Sequence, residues 1–247
     1  MTAQIRSELQ KITSVRTTWV FLIATAGFVA LMVGVQAATA GSEFVAPLDD
    51  PVTQLALLQT GSIAPLIAIV FGCLAVTTEL RHHTIVATLL VEPDRVRMLS
   101  AKVVATALAG AVLAAVAVGL AVGGTLAVLA LTSTPVVVAN VEVAASAAGT
   151  VGGAALGAVF GLGVGGIVRN QALAVGTVLV LLLAIEPLIG TLVPETATWM
   201  PSSLIALLGG AESPDQHAWW LLALALAGYA AVASIGAALT LRRADIT

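Results

Sequence analysis

The distribution of lysine and arginine constrains this chain more than any other feature of its sequence. Its ten Lys and Arg residues form four groups, and each group is separated from the next by an apolar stretch long enough to cross a bilayer twice. Loops rich in Lys and Arg stay cytoplasmic, because hydrocarbon and the membrane potentials oppose the transfer of a cation. Six crossings with both termini in the cytoplasm therefore put every cation on one side. The four groups are Arg6, Lys11 and Arg16; Arg81, Arg95, Arg97 and Lys102; Arg169; and Arg242 and Arg243.

The composition indicates that a bilayer is the solvent of this chain. Hydrophobic residues make up 59% of its 247 residues and charged residues 9%, whereas soluble domains carry about 25% charged residues. One span needs about 20 apolar residues, so the length holds about six spans with short loops and no large soluble domain. In the predicted orientation ten cations and five acids face the cytoplasm, and eight acids face outward. This polarity is typical of a membrane orientation and not of a nucleic-acid-binding surface.

Residues 1–18 predict an amphipathic helix that lies on the cytoplasmic surface of the membrane before span 1. A signal peptide is the alternative, because Ala38-Thr39-Ala40 resembles a cleavage site. The apolar run before that site is too long for a typical signal peptide, and cleavage would remove one span of an even set. The apolar residues that recur at helical spacing are Ile5, Leu9, Ile12, Val15 and Trp19.

The rest of the sequence predicts a single all-α transmembrane domain over residues 1–247. Residues 103–141 carry no charge and could hold two spans, but two would separate the basic groups, so we predict one. Within the outer segment 192–217, residues 201–209 predict an apolar helix too short to cross. The six predicted spans cover about residues 19–39, 51–76, 103–131, 142–168, 171–191 and 218–241.

The second and fourth spans carry distinctive local sequence signals. Asp50-Pro51 predicts a helix start, and Pro65 predicts a kink inside span 2. Span 4 carries five glycines at four-residue spacing, which makes one face smooth and lets another helix approach closely. The partner of that face can belong to this chain or to another subunit. The five glycines are Gly149, Gly153, Gly157, Gly161 and Gly165.

Several kinds of chemistry are not expected in this chain. Its two lysines, Lys11 and Lys102, do not follow a glycine as the lysine of a phosphate-binding loop does. We find no Cys/His pattern for a metal site, and the single cysteine, Cys73, excludes an internal disulfide. We therefore expect neither an enzyme activity nor a cofactor or metal in the chain itself.

The cytoplasmic segment 77–102 combines charges of both signs with an apolar run. A loop that only stayed in water would not need that run, so the segment predicts a short helix that docks onto the bilayer surface or onto a soluble protein. The apolar residues of the run are Ile85, Val86, Leu89 and Leu90.

Seven residues after span 2 form an ordered set: Glu79, Arg81, Thr84, Ile85, Pro93, Arg97 and Lys102. With these residues the chain resembles the permease subunit of bacterial type-2 ABC exporters, which have a cytoplasmic N-terminal elbow helix and six spans and carry such a signature after span 2. In this chain Leu80 replaces the family's usual aromatic residue, and His83 replaces its usual glycine. Further similarity lies in Arg169-Asn170-Gln171-Ala172, Glu186-Pro187-Leu188, Pro201 and the closing Arg242-Arg243-Ala244-Asp245.

The resemblance implies a division of labour between two kinds of subunit. A separate ABC ATPase subunit would bind ATP and magnesium, and residues 79–91 would receive its movement. A second permease copy or a paralogue would complete the pathway in the plasma membrane, surrounded by lipid. The implied coupling residues are Glu79, Arg81, Thr84, Ile85, Leu89 and Arg97.

Polar residues inside the spans are compatible with functions other than that of an ABC permease. Glu186 lies about 24 Å into a core of about 30 Å, so it is either an interfacial acid or a residue of a pathway or gate. Gln36 and Gln59 are further pathway candidates. An ion- or proton-coupled carrier that uses Glu186 is the main alternative, although the two halves show no inverted repeat. A membrane scaffold that does not transport is the third reading.

Overall fold

The structure of the protein is a computed structural model that describes residues 2–81, 95–211 and 218–243. Across these ranges the chain is helical and contains no β-strand. Six of the helices are long and apolar enough to cross a membrane, so the prediction of an all-α protein with six spans is confirmed.

An N-terminal helix, Thr2–Ser14, precedes the spans. The short helix Pro201–Leu208 lies between spans 5 and 6 and follows a single turn at Pro194–Ala197. We call the end of the bundle at which the N-terminal helix lies the proximal end, and the opposite end the distal end. Spans 1 to 6 are Arg16–Thr39, Pro51–Arg81, Arg95–Leu131, Asn140–Val168, Gln171–Leu192 and Trp219–Arg243.

Span 3 confirms that residues 103–141 hold one crossing, since a single helix of 37 residues runs through most of that stretch. Its length is roughly 55 Å, longer than a hydrocarbon core of about 30 Å. It begins at Arg95, earlier than predicted, so its first turns extend past the core at the proximal end.

Span 2 begins and changes helix type where the sequence signals lie. The Asp50 carboxylate accepts hydrogen bonds from the N–H groups of Val52 at 2.7 Å and Thr53 at 3.4 Å, as a helix cap does. Residues Gln59–Ile63 form a 3₁₀ turn immediately before the helix resumes towards Pro65. Proline lacks an N–H and crowds the carbonyl four residues earlier, so a regular α-helix is disfavoured there.

Span 5 is interrupted in a related way. Residues Leu181–Ile185 form a π-helical turn, and Glu186 and Pro187 follow directly. The wider turn accommodates the proline, which cannot donate to the preceding turn. The interruption therefore lies next to the acidic residue of this span.

Span 4 is the centre of the bundle and packs against spans 2, 3 and 6. Of its most apolar window 61% is buried, compared with 17% for span 1. A Cβ on Gly161 would collide with the carbonyl of Ile69 in span 2, and one on Gly149 would collide with the carbonyl of Leu208 in the short helix. The glycine face of span 4 therefore has its partners inside this chain, which answers the question that the sequence left open.

The six crossings alternate in direction, so the two ends of the bundle differ in charge. All ten Lys and Arg residues lie in the N-terminal helix, in the proximal parts of the spans or, for Arg169, in the proximal link between spans 4 and 5. Which side of a membrane this end faces, and whether the N-terminal helix lies on the membrane surface, remain predictions. The acids placed at the distal end in the described residues are Glu43, Asp49, Asp50, Glu142, Glu186 and Glu195.

Candidate functional site

A partly buried cluster of four charged side chains joins three helices at the proximal end. Lys102 of span 3 is 3% exposed, and its Nζ lies 2.5 Å from Oε2 of Glu8 and 2.6 Å from Oε1 of Glu79. Lys11 donates to Oε1 of Glu8 at 2.6 Å. The two acids and two cations balance in charge, which is the arrangement that a buried ionic group requires. We call Glu8, Lys11, Glu79 and Lys102 the proximal cluster.

The local sequence brings the N-terminal helix back over the bundle. The chain is extended at Val15, between the N-terminal helix and span 1. Thr18 Oγ1 donates to the carbonyl of Ile12 at 2.5 Å, and Trp19 Nε1 donates to that of Thr13 at 3.1 Å. These bonds satisfy carbonyl groups at the end of the N-terminal helix, which would otherwise lack partners. Glu8 thereby faces the ends of spans 2 and 3.

Glu8 is ionised more readily in the folded protein than in a free peptide. Burial alone would raise the pKa of its carboxyl group, but the charges and hydrogen bonds of Lys102 and Lys11 outweigh this effect and lower the pKa. The carboxylate is therefore held as an anion by its two lysine partners.

The predicted coupling residues divide between described and undescribed parts of the chain. Glu79 belongs to the proximal cluster, and Arg81 Nη1 donates to Oε1 of Gln171, at the start of span 5, at 3.2 Å. Arg97 is exposed near the start of span 3. Thr84, Ile85 and Leu89 lie outside the described residues, as does the rest of 82–94.

The two glutamines predicted for a pathway hold neighbouring segments together near the distal end. Gln36 Nε2 of span 1 donates to Thr60 Oγ1 of span 2 at 3.0 Å. Gln59 Nε2 donates to the carbonyl of Gly210, just after the short helix, at 3.0 Å. The two hydrogen bonds thus join the 3₁₀ turn of span 2 to span 1 and to the end of the short helix.

Glu186 is buried against the short helix and is only 3% exposed. Its Oε2 accepts hydrogen bonds from the backbone N–H of Ser202 at 2.8 Å and from Ser202 Oγ at 2.5 Å. Ser202 is the second residue of the short helix, so an acidic group from span 5 occupies the N-terminal end of that helix, where anions are stabilised. Oε1 of Glu186 has no hydrogen-bond partner within the described residues.

Sequence reasoning missed several residues that the tertiary structure makes important. The spacing of Glu8 and Lys11 by three residues on a helix is a signal for an ion pair, but it does not reveal Lys102 as the third member. Gln54 gave no signal, yet it is fully buried and binds the carbonyls of Leu48 and Pro135. Ser202 gave a weak sequence signal, because it follows a proline at the start of a helix.

No group of three potential metal ligands comes together in the ranges that the structure describes. The three histidines, His82, His83 and His217, lie outside those ranges. No model of a known protein family matches this chain, and no curated protein matches it.

Proposed function

We propose that this chain is the membrane-spanning permease subunit of an ATP-driven ABC exporter. It would act as a dimer, with its proximal end in the cytoplasm, and would be moved by a separate nucleotide-binding subunit. The observation that carries the proposal is the proximal cluster, which joins the N-terminal helix to the two spans that flank residues 82–94.

Residues 82–94 are connected at both ends to spans that the proximal cluster joins. Span 2 ends at Arg81, one turn or less beyond Glu79, and span 3 begins at Arg95, two turns before Lys102. Because Lys102 is paired with both Glu79 and Glu8, a force applied to the segment is passed to three helices together. The contact of Arg81 with Gln171 adds the start of span 5.

Closely packed helices connect this region to the distal end and can transmit a displacement between them. Span 2 meets span 4 backbone against backbone at Gly161 and Ile69, and Gly72 of span 2 meets the carbonyl of Ala158 in the same way. Close packing without intervening side chains leaves little room for local adjustment. A displacement of span 2 would therefore move span 4 and, through Gly149 and Leu208, the short helix.

Co-purification from native membranes tests the proposal. The tagged chain is extracted in mild detergent, and partner subunits are identified by photolabelling with an azido-ATP analogue and by ATPase assay. Leu89→Asp places a charge in the apolar run that is predicted to dock. Phe44→Asp is the matched control, because Phe44 is 91% exposed in the loop at the other end of the bundle.

We expect an ATP-labelled subunit to co-purify with the wild type and the Phe44 variant, and to be lost or strongly reduced with the Leu89 variant. If no ATP-binding protein accompanies the wild-type chain, or if both variants retain it equally, the proposed coupling is wrong.

The buried carboxylate of Glu186 favours a second candidate, a proton- or ion-coupled carrier. An acidic residue inside a span is costly and often functional, and one oxygen of Glu186 finds no partner in the described parts of the chain. Transport by the purified chain in vesicles without ATP, abolished by Glu186→Gln, would favour this candidate. Glu186 also caps the short helix, which gives it a structural role that does not require proton or ion transport. We therefore rank the exporter first.

A further inference from the structure

A groove of about 630 Å³ opens at the distal end between span 2, span 4, span 6 and the short helix. Sites for drug-sized molecules enclose about 300–1,000 Å³ and are mostly apolar with a few polar groups. The groove has both properties. We call it the distal groove.

Two hydrogen bonds hold the walls of the distal groove in place. Gln59 Nε2 of span 2 binds the carbonyl of Gly210 at 3.0 Å, and Ser146 Oγ of span 4 binds that of Gly209 at 2.5 Å. The end of the short helix is thus fixed to two spans. Gly152, on the wall formed by span 4, has no atom within 4 Å of a Cβ placed on it, so the groove is open at that position.

The lining of the distal groove is apolar apart from one end. Leu55, Leu156, Leu207 and Trp219 supply its aliphatic and aromatic surface. Glu142, in the first turn of span 4, is the one charged side chain among the described residues that line it, and it is exposed. A ligand with an apolar body and a positive group at one end is complementary to this lining.

The charge of the whole distal end also favours a ligand with a positive group. No Lys or Arg of the chain lies there, because all ten are at the proximal end. Clefts with low-dielectric walls and charges of one sign concentrate ions of the opposite sign. Anions would be repelled from this end of the bundle, and cations would be drawn to it.

We propose that the distal groove binds an amphipathic organic cation. Its flat apolar body lies against Trp219 and the leucines, and its positive group lies towards Glu142. Binding needs only this chain, so the proposal stands or falls separately from coupling to an ATPase.

The test uses the full chain in nanodiscs of zwitterionic lipid, with empty nanodiscs to subtract partition into the bilayer. Rhodamine 6G, a fluorescent amphipathic cation, reports binding by anisotropy. Tetraphenylphosphonium and tetraphenylborate compete with it, and these two ions share size and shape but carry opposite charges. The comparison between them isolates charge from apolar contact.

Three variants locate the site. Gly152→Leu places a leucine side chain inside the groove, and Gly119→Leu is the matched control, because Gly119 of span 3 is also exposed with nothing within 4 Å but lies away from the groove. Glu142→Gln removes the charge and keeps the shape. Thermal unfolding of each variant confirms that it folds.

We expect saturable binding of rhodamine 6G that tetraphenylphosphonium displaces and tetraphenylborate does not. Gly152→Leu should raise Kd at least about tenfold, which corresponds to losing the contacts of a filled pocket. Glu142→Gln should raise Kd a few-fold, more at low salt than at high salt. Gly119→Leu should leave Kd unchanged.

Equal competition by the two ions would overturn the proposal, and so would equal effects of the two leucine variants. A phospholipid is the alternative occupant that the test distinguishes. If native mass spectrometry finds a lipid bound to the wild type and lost in Gly152→Leu while rhodamine 6G does not bind, the groove holds lipid and the proposal is wrong.

Discussion

Lys102 of span 3 and Glu8 of the N-terminal helix form a buried ion pair, with 2.5 Å between Nζ and Oε2, although 94 residues separate them. Glu79 accepts a second hydrogen bond from the same ammonium group at 2.6 Å. A buried ion pair adds little net stability over apolar packing, but it is costly to break, because the remaining charge stays buried without compensation. The pair therefore fixes the N-terminal helix in one position over spans 2 and 3.

Replacing Lys102 by Met should destabilise the protein by about 3–5 kcal/mol, because Glu8 and Glu79 lose their central cation. Lys11→Met is the control. The Lys11 side chain is 39% exposed, and exposed ion pairs contribute about 0–1 kcal/mol. Thermal unfolding in detergent measures both variants. Equal losses would show that Lys102 is not the centre of the cluster.

The stability of the protein should depend on the ionisation of Glu8. The lysine partners hold its folded-state pKa below the ordinary value of a glutamate carboxyl group, so its contribution is present above the pKa of the unfolded chain and is lost as pH falls through the folded pKa. We expect the melting temperatures of the wild type and Glu8→Gln to differ most near neutral pH and to converge at acid pH, once the pH has fallen through the folded-state pKa. A constant difference across this range would contradict the lowered pKa.

The close contact of spans 2 and 4 should not tolerate one added methyl group. Gly161→Ala puts a Cβ against the carbonyl of Ile69, and overpacking of this kind costs about 1–3 kcal/mol. Gly119→Ala adds the same methyl group where nothing lies within 4 Å, and it should be neutral or slightly stabilising because alanine favours helix. Unfolding in a denaturant series compares the two, and the reverse order of stability would refute the packing described here.

Ser202 should help to hold the short helix to span 5. Ser202→Ala removes the hydroxyl donor to Glu186 and should cost about 1 kcal/mol. Ser203→Ala changes the neighbouring hydroxyl and serves as the control. Hydrogen exchange over residues 198–211 should quicken in the first variant only; unchanged exchange there would mean that the Glu186 contact does not stabilise the helix.

The orientation of the bundle can be measured by labelling single cysteines in intact cells. Cys73 is buried, so Cys73→Ala provides a background without reactive thiols. An impermeant reagent should label Phe44→Cys and should not label Thr88→Cys, because the proximal end is predicted to face the cytoplasm. If the reagent labels the cysteine at position 88 from outside the cell, the proximal end faces outward and the predicted orientation is wrong.

Some parts of the fold followed from local sequence signals. The start of span 2 at Asp50 and its interruption before Pro65 depend on a cap and on a missing N–H, which act within one turn of helix. The cluster of Glu8, Glu79 and Lys102 could not be predicted in this way. Its members lie on three helices, and their meeting depends on how the chain reverses at Val15.

The sequence by itself determined the number of crossings and the basic and acidic ends of the bundle. A bilayer selects apolar stretches of about 20 residues, and it resists the passage of cations whatever the helices pack against. Only the tertiary structure decided which face of each span meets a neighbour. Lipid and protein interior are almost equally apolar, so hydropathy does not fix the rotation of a helix about its axis. That rotation turned the glycines of span 4 towards span 2, brought Glu186 to Ser202 and left the distal groove open beside Gly152.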